Sequence, residues 1–250
     1  MCIECQTSSE SERDAETPPD ILTALASLGP FFAVDMHESG ERPQPPWLAV
    51  SALTGRPDMM RDRIAAVRQA LAISTGRPAE QIETKVAASA AHFGLVARLV
   101  SPALAALASG YQLNTQPSEL WWQDVLGGPF PVSVPVPVHC LDSAETACRE
   151  LISGLIEPVT SMVAEVIPMS PRVLWGNVAS AVNSASRQIA TKRPTAADAR
   201  HHLAEVVFSA PQLLSERSAP GPGFRRSSCC LIYRLPSGLG RETCGDCVLS

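Results

Sequence analysis

Positive charge is in short supply along this chain: 20 Lys and Arg stand against 25 Asp and Glu, giving a formal net charge of −5 and a sequence pI near 5.6. No broad basic surface is therefore available for nucleic acid phosphates or anionic lipid. Long apolar runs are missing as well. The longest stretch, residues 86–107, is interrupted by His92, Arg98 and Pro102, so no stable membrane insertion is expected. The first twenty residues have neither a basic start nor an apolar run of signal-peptide length, which predicts a cytoplasmic protein. No Gly-rich nucleotide fingerprint occurs, and no internal repeat. The five histidines, His37, His92, His139, His201 and His202, lack metal-ligand spacing to one another.

What the chain does have is eight cysteines. In a reducing cytosol structural disulfides are rare, so clustered thiols read as metal ligands or redox groups. Cys140 and Cys148 lie on or beside apolar segments, where a free cysteine reads as a small buried hydrophobe. Cys2 and Cys5 form a Cys-x-x-Cys with no further ligand nearby and read as incidental exposed thiols.

With 250 residues and 45% hydrophobic side chains, one large core can be buried. Residues 1–19 are polar and acidic and predict disorder. Residues 20–215 predict a mainly helical body, the expected seat of a ligand. Asp20 can cap a helix over 21–28. Helical spacing recurs from Pro57, again from Pro78 with a break at Pro102, and then from Asp142, Ser170 and Thr195. Residues 37–47 read as loop. Residues 113–138 predict a short hairpin or meander, because Val132, Val134, Val136 and Val138 alternate while Pro131, Pro135 and Pro137 confine such a strand to an edge. Residues 216–250 predict a flexible linker and a cysteine-rich tail. The expected fold class is mainly α with a small antiparallel β element (α+β), one compact helical body followed by that tail.

The tail carries the chemistry. Cys229-Cys230, thirteen intervening residues and Cys244-Gly245-Asp246-Cys247 supply the four thiolates that a [2Fe-2S] cluster or a tetrahedral zinc requires. Neighbouring side chains diverge too strongly to share one small tetrahedron comfortably, so the adjacent pair favours a dinuclear cluster. Zinc and a redox-active thiol site remain the alternatives. Arg225, Arg226, Arg234 and Arg241 outnumber Glu242 and Asp246 here and can offset the negative charge of such a cluster.

Arg225-Arg226-Ser227-Ser228-Cys229-Cys230-Leu231-Ile232-Tyr233-Arg234-Leu235-Pro236, followed by Cys244-Gly245-Asp246-Cys247, resembles the C-terminus of the FhuF-like ferric siderophore reductases. More loosely, Ala97 to Pro102, Trp121-Trp122 and Leu174-Trp175-Gly176-Asn177 are similar to segments of the same family. The resemblance implies a [2Fe-2S] cofactor held by Cys229, Cys230, Cys244 and Cys247. It also implies one-electron reduction of ferric iron in a hydroxamate-type siderophore, with the electron drawn from a donor protein or a diffusible reductant. In the family about ten residues typically precede the Cys-x-x-Cys; here there are thirteen, Leu231 to Thr243. Lengthening a loop by that ratio costs only about a few tenths of a kcal/mol. Trp47, Trp121, Trp122, Trp175 and Arg98 are candidate contacts for the siderophore, but a tryptophan in such a domain is more often core than ligand contact and Arg98 can equally pair with a buried carboxylate, so none is taken as a site residue. The competing function is a siderophore- or partner-binding module whose tail is a structural zinc site with four cysteine ligands.

Overall fold

The computed structural model describes residues 19–193, 197–214, 221, 223–235 and 244–248. The expectations for residues 1–18, which include Cys2 and Cys5, and those for Thr195, residues 215–220, Arg241 and Glu242 lie outside these residues.

Eight α-helices appear in the described chain. They are α1 (Pro19–Ala26), α2 (Ser51–Gly55), α3 (Pro57–Thr75), α4 (Thr84–Leu107), α5 (Ala144–Arg149), α6 (Glu157–Val166), α7 (Pro171–Lys192) and α8 (Ala197–Phe208). The helix α4 is the axis of the molecule. Its residues Leu95, Val96, Leu99, Val100 and Leu104 are buried, and it packs on α7, α3 and α6. By length and composition α4 could cross a membrane, but 83% of its most apolar window is buried inside the protein. Many of its buried residues are Ala or Ser, which lets neighbouring helices approach closely. The helix α3 ends where Gly76 adopts the left-handed conformation at φ 63°, a conformation that favours glycine. The helix α5 starts where the Ser143 hydroxyl accepts from the Thr146 amide, and a π-helical stretch, Glu150–Ile156, joins α5 to α6.

Pro102 does not break α4, contrary to the sequence expectation: the helix runs through it to Leu107. Pro102 is itself buried, and the packing of α4 on both flanks outweighs the single hydrogen bond that proline withholds. The π-helical stretch was equally unexpected.

The sheet is mixed rather than purely antiparallel. Strands β1 (Asp35–Glu38), β2 (Leu48–Ala49), β4 (Trp121–Trp122) and β5 (Val132–Val136) lie in the order β1-β5-β4-β2, and β3 (Tyr111–Gln112) pairs with β6 (His139–Cys140). Strand β1, which the sequence reads partly as loop, runs parallel to β5 with Asp35 opposite Ser133. The strand carrying Pro135 is thus interior by order. Its partner β4 is only two residues long and pairs with Val132 and Ser133, so Pro135 lies past the end of β4, where no ladder donor is required of it.

Two cysteine expectations part company here. Cys148 is buried and free, and burial pushes its thiol up to about 12, as suits an inert core residue. Cys140 is exposed on β6 and is disulfide-bonded. The apolar flanks that suggested burial belong to its neighbours.

Candidate metal centre

The tail returns to the body along α7 and α8. Phe224 is fully buried and stacks on Phe208 with ring centroids 6.0 Å apart, and the Gly221 amide donates to Asn183 Oδ1 at 2.9 Å. Beyond this anchor the two halves of the cysteine motif are tied together by backbone. The Arg226 amide donates to the Asp246 carbonyl at 3.0 Å, and the Cys247 amide to the Cys244 carbonyl at 3.0 Å, closing the Cys-x-x-Cys turn. Arg225 Nη1 adds a bond to the Gly245 carbonyl.

Around the adjacent pair the backbone takes a strained form. Leu231 has φ 69°, a left-handed conformation that costs a non-glycine residue about 1–2 kcal/mol. Its effect is to turn successive amides toward sulfur: Leu231 N–H donates to Cys229 Sγ at 3.3 Å, and the Ile232 amide bonds the Cys230 sulfur. Donors aimed at sulfur stabilise thiolate.

The thiols of Cys230 and Cys244 lie 3.5 Å apart, sulfur to sulfur, and both are free. Two thiolates bound at about 2.3 Å to one tetrahedral metal would stand about 3.8 Å apart, so this pair is spaced for a shared metal rather than for a disulfide of about 2.05 Å. Cys229 is half-buried and Cys247 buried, and both lie close enough to interact electrostatically. The hydrogen bond from Cys244 holds the Cys230 thiol down at about 6, helped by the Ile232 amide and by Arg226. The Cys244 thiol, which keeps the shared proton, is pushed up by the same bond and by burial. Burial also raises Cys229, against the Leu231 amide and Arg226. Among the described residues, no three His, Cys, Asp or Glu side chains converge on a single metal-ion position. A dinuclear cluster asks instead for two thiolates on each iron, and the donor set fits one.

Among the described residues, Arg226 is the cation buried beside these sulfurs, at 3% exposure. Its guanidinium donates to the carbonyls of Ser228 and Val173, and its charge bears on Cys229, Cys230, Cys244 and Asp246. Arg225 is exposed, and Arg234 pairs with Glu83 at 3.2 Å, ahead of α4. Neither of these two shares the burial of Arg226 against the thiols.

The body receives this segment at Gly176 on α7. A Cβ placed there would run into Ser228 Oγ and lie 2.9 Å from Arg226 Nη2, so a side chain at this position forces Ser228 and Arg226 out of their observed places. Ser228 Oγ in turn donates to the Arg172 carbonyl at 2.6 Å. Next to Gly176, Asn177 Nδ2 donates to the Ser89 carbonyl and to Ser89 Oγ, and Ser89 Oγ donates to the Cys230 carbonyl at 2.8 Å. The Asn177 amide also faces His92 Nδ1 at 3.3 Å. An amide NH2 can only donate, so His92 accepts at Nδ1 and carries its proton on Nε2, toward Thr160 Oγ1 at 3.0 Å. Complete burial, with the Arg226 charge nearby, lowers His92 to about 3, so it is neutral. The sequence pattern marks the cysteines but assigns no role to Ser89, Gly176 or Asn177. Polar residues set inside buried helical faces were the available signal.

The aromatic candidates lie elsewhere. Trp122 is buried edge-on to Phe130 beneath the Arg63 guanidinium. Trp121 stacks on His37 at 3.6 Å. Arg98 donates to the carbonyls of Phe130, Phe31 and Ala33, tying loops to α4. These three are structural. Trp47 and Trp175 are half-buried.

Residues 226–249 match the family model of the FhuF 2Fe-2S C-terminal domain. No curated protein matches the chain. The tail is therefore a [2Fe-2S] domain of the FhuF type, in agreement with the resemblance read from its cysteines, and the cofactor of this chain is a [2Fe-2S] cluster.

Proposed function

We propose that this chain is a ferric siderophore reductase acting in the cytoplasm, with Cys229, Cys230, Cys244 and Cys247 as the cluster ligands. The observation that carries the reading is the set of four cysteines in a FhuF-type 2Fe-2S domain, docked on a helical body through Gly176. When bound, the cluster supplies one electron to the Fe3+ of a hydroxamate-type chelate, and a donor protein or diffusible reductant restores it. The Fe2+ so formed is held less tightly by hard, charged oxygen ligands and is released.

The chain's own residues hold and tune the centre. The Leu231 and Ile232 amides favour thiolate. Arg226 provides a buried positive charge that favours the more negative, reduced form. The Ser89–Asn177–His92 network fixes the Cys230 backbone against α4 and α7, and a rigid mount keeps reorganisation small on electron transfer. The test is anaerobic reduction of the full chain followed by addition of a ferric trihydroxamate. Stoichiometric Fe2+, trapped by a ferrous chelator, is the expected result. A reduced cluster that persists beside the ferric chelate would overturn the reading.

A further inference from the structure

The tail lies along α7 between two exposed arginines. Near the start of that helix the Arg172 carbonyl accepts from Ser228 Oγ at 2.6 Å, and toward its end the Arg187 charge bears on Asp246, inside the Cys-x-x-Cys. Both arginines are exposed, and the helix rise of about 1.5 Å per residue sets their backbones about 22 Å apart. Two more exposed arginines stand on the tail itself. Arg225 reaches the Gly245 carbonyl at 3.0 Å, and Arg234, in the short turn Ile232–Arg234, pairs with Glu83 at 3.2 Å. Beside the cysteines in sequence, Tyr233 and Val248 are 43% and 42% exposed. Cys229, Cys230 and Cys244 are themselves only half-buried, so the thiols are within reach of the surface that the tail forms.

The charge of this face runs against that of the chain. The protein has a net charge of −5, yet it places these four exposed arginines on and beside one short segment. The described carboxylates that meet them are Asp246, half-buried, and Glu83; Arg241 and Glu242 of the same tail cancel in charge. Cations spread over about 22 Å do not converge on a single phosphate. With an exposed tyrosine among them they have the make-up of a protein contact, in which Arg and Tyr are enriched. The extent suits one as well, since a standard interface takes about 800 Å2 from each partner, a patch roughly 28 Å across. An anionic bilayer is the poorer match, because a plane would also meet the acidic remainder of the chain. A small acidic protein meets the face alone.

We propose that this arginine-flanked face of the tail and α7 is the docking surface for an acidic one-electron donor protein. The inference rests on the reductase reading, in which an electron must be resupplied after each turnover, and its test separates the two. One electron leaves the donor's redox group and reaches the four-cysteine centre, whose added negative charge then weakens the hold on an acidic donor and favours release. The probe is a flavodoxin, an acidic protein whose flavin hydroquinone gives up one electron to become the semiquinone. Its oxidised form, titrated with the oxidised, cluster-loaded full chain and followed by its nuclear magnetic resonance shifts, is expected to bind. In anaerobic stopped flow the reduced form is expected to reduce the chain at a rate that falls at least about tenfold between about 50 and 500 mM salt. Arg172→Glu combined with Arg187→Glu is expected to weaken binding and slow this reduction at least about tenfold, and Tyr233→Ser about threefold. In both variants the visible spectrum is retained and reduction by dithionite changes less than about twofold. Flavodoxin binding that is absent, or unchanged in both variants, would overturn the docking face, as would a chain that NADPH alone reduces and flavodoxin does not. Capture by phosphatidylglycerol vesicles in place of flavodoxin, lost in the same variants, would overturn it in favour of a membrane surface. Donor binding and chain reduction that follow the arginines, without reduction of a ferric trihydroxamate, would overturn the reductase reading and leave the docking face standing.

Discussion

Gly176 is a residue whose value is visible only across the fold. In the middle of a helix, Gly→Ala is worth about 1 kcal/mol of helix stability, so on α7 alone the change should help. Here the added methyl meets Ser228 and Arg226. Gly176→Ala is therefore expected to leave the melting temperature of the body unchanged or raised while iron and sulfide per chain fall severalfold, with Ser228→Gly partly restoring them. Full iron content in Gly176→Ala would contradict the docking described. At Arg226 the expected effect is electrostatic. Arg226→Gln should lower the midpoint potential by on the order of 50 mV, since one buried charge near the centre is worth a few kcal/mol at most, and Arg226→Lys should recover most of it; an unshifted potential would contradict a tuning role. The cysteines were legible in the sequence because four thiols within nineteen residues seldom serve anything but metal or redox chemistry. Gly176 was not, because its partner lies fifty residues away and nothing local marks the contact.

At the level of elements, the helices and the strand over Val132–Val136 were legible, and the remaining strands were not. Helical periodicity over twenty residues survives a misplaced proline, as in α4, but β2, β3, β4 and β6 are two residues each, too short for alternation to show. The pairing of β1 with β5 spans a hundred residues and has no local signature. Arg98 holds this part together: Arg98→Met should cost about 3 kcal/mol in denaturant unfolding, because the carbonyls of Phe31, Ala33 and Phe130 lose their donor. The contact of α4 with α7 and α6 through His92 makes a second prediction. Its folded pKa of about 3 lies below the ordinary value of 6.5, so the unfolded chain binds the extra proton first. Stability should be complete above about pH 6.5 and fall as pH drops toward 3, by at most roughly 1.4 kcal/mol per pH unit from this group. His92→Gln, which can still accept from Asn177, should flatten that slope; an unchanged slope would remove His92 as its source.

For the molecule as a whole, the described part of the cysteine tail packs on α4, α7 and the end of α8. Composition predicted the helical class and one large core, and the motif predicted the cofactor. Neither could predict that Arg172 and Arg187 of α7 would flank the tail, since that depends on where the tail comes to rest. The most direct measurement is made on the full chain purified without oxygen: iron, acid-labile sulfide and zinc per chain, together with the electron paramagnetic resonance spectrum before and after dithionite. Two irons and two sulfides per chain, no zinc, and a signal that appears only on reduction are the predicted result, with colour and signal both lost in Cys244→Ser while the helical circular dichroism persists. One zinc per chain with neither iron nor sulfide would contradict it.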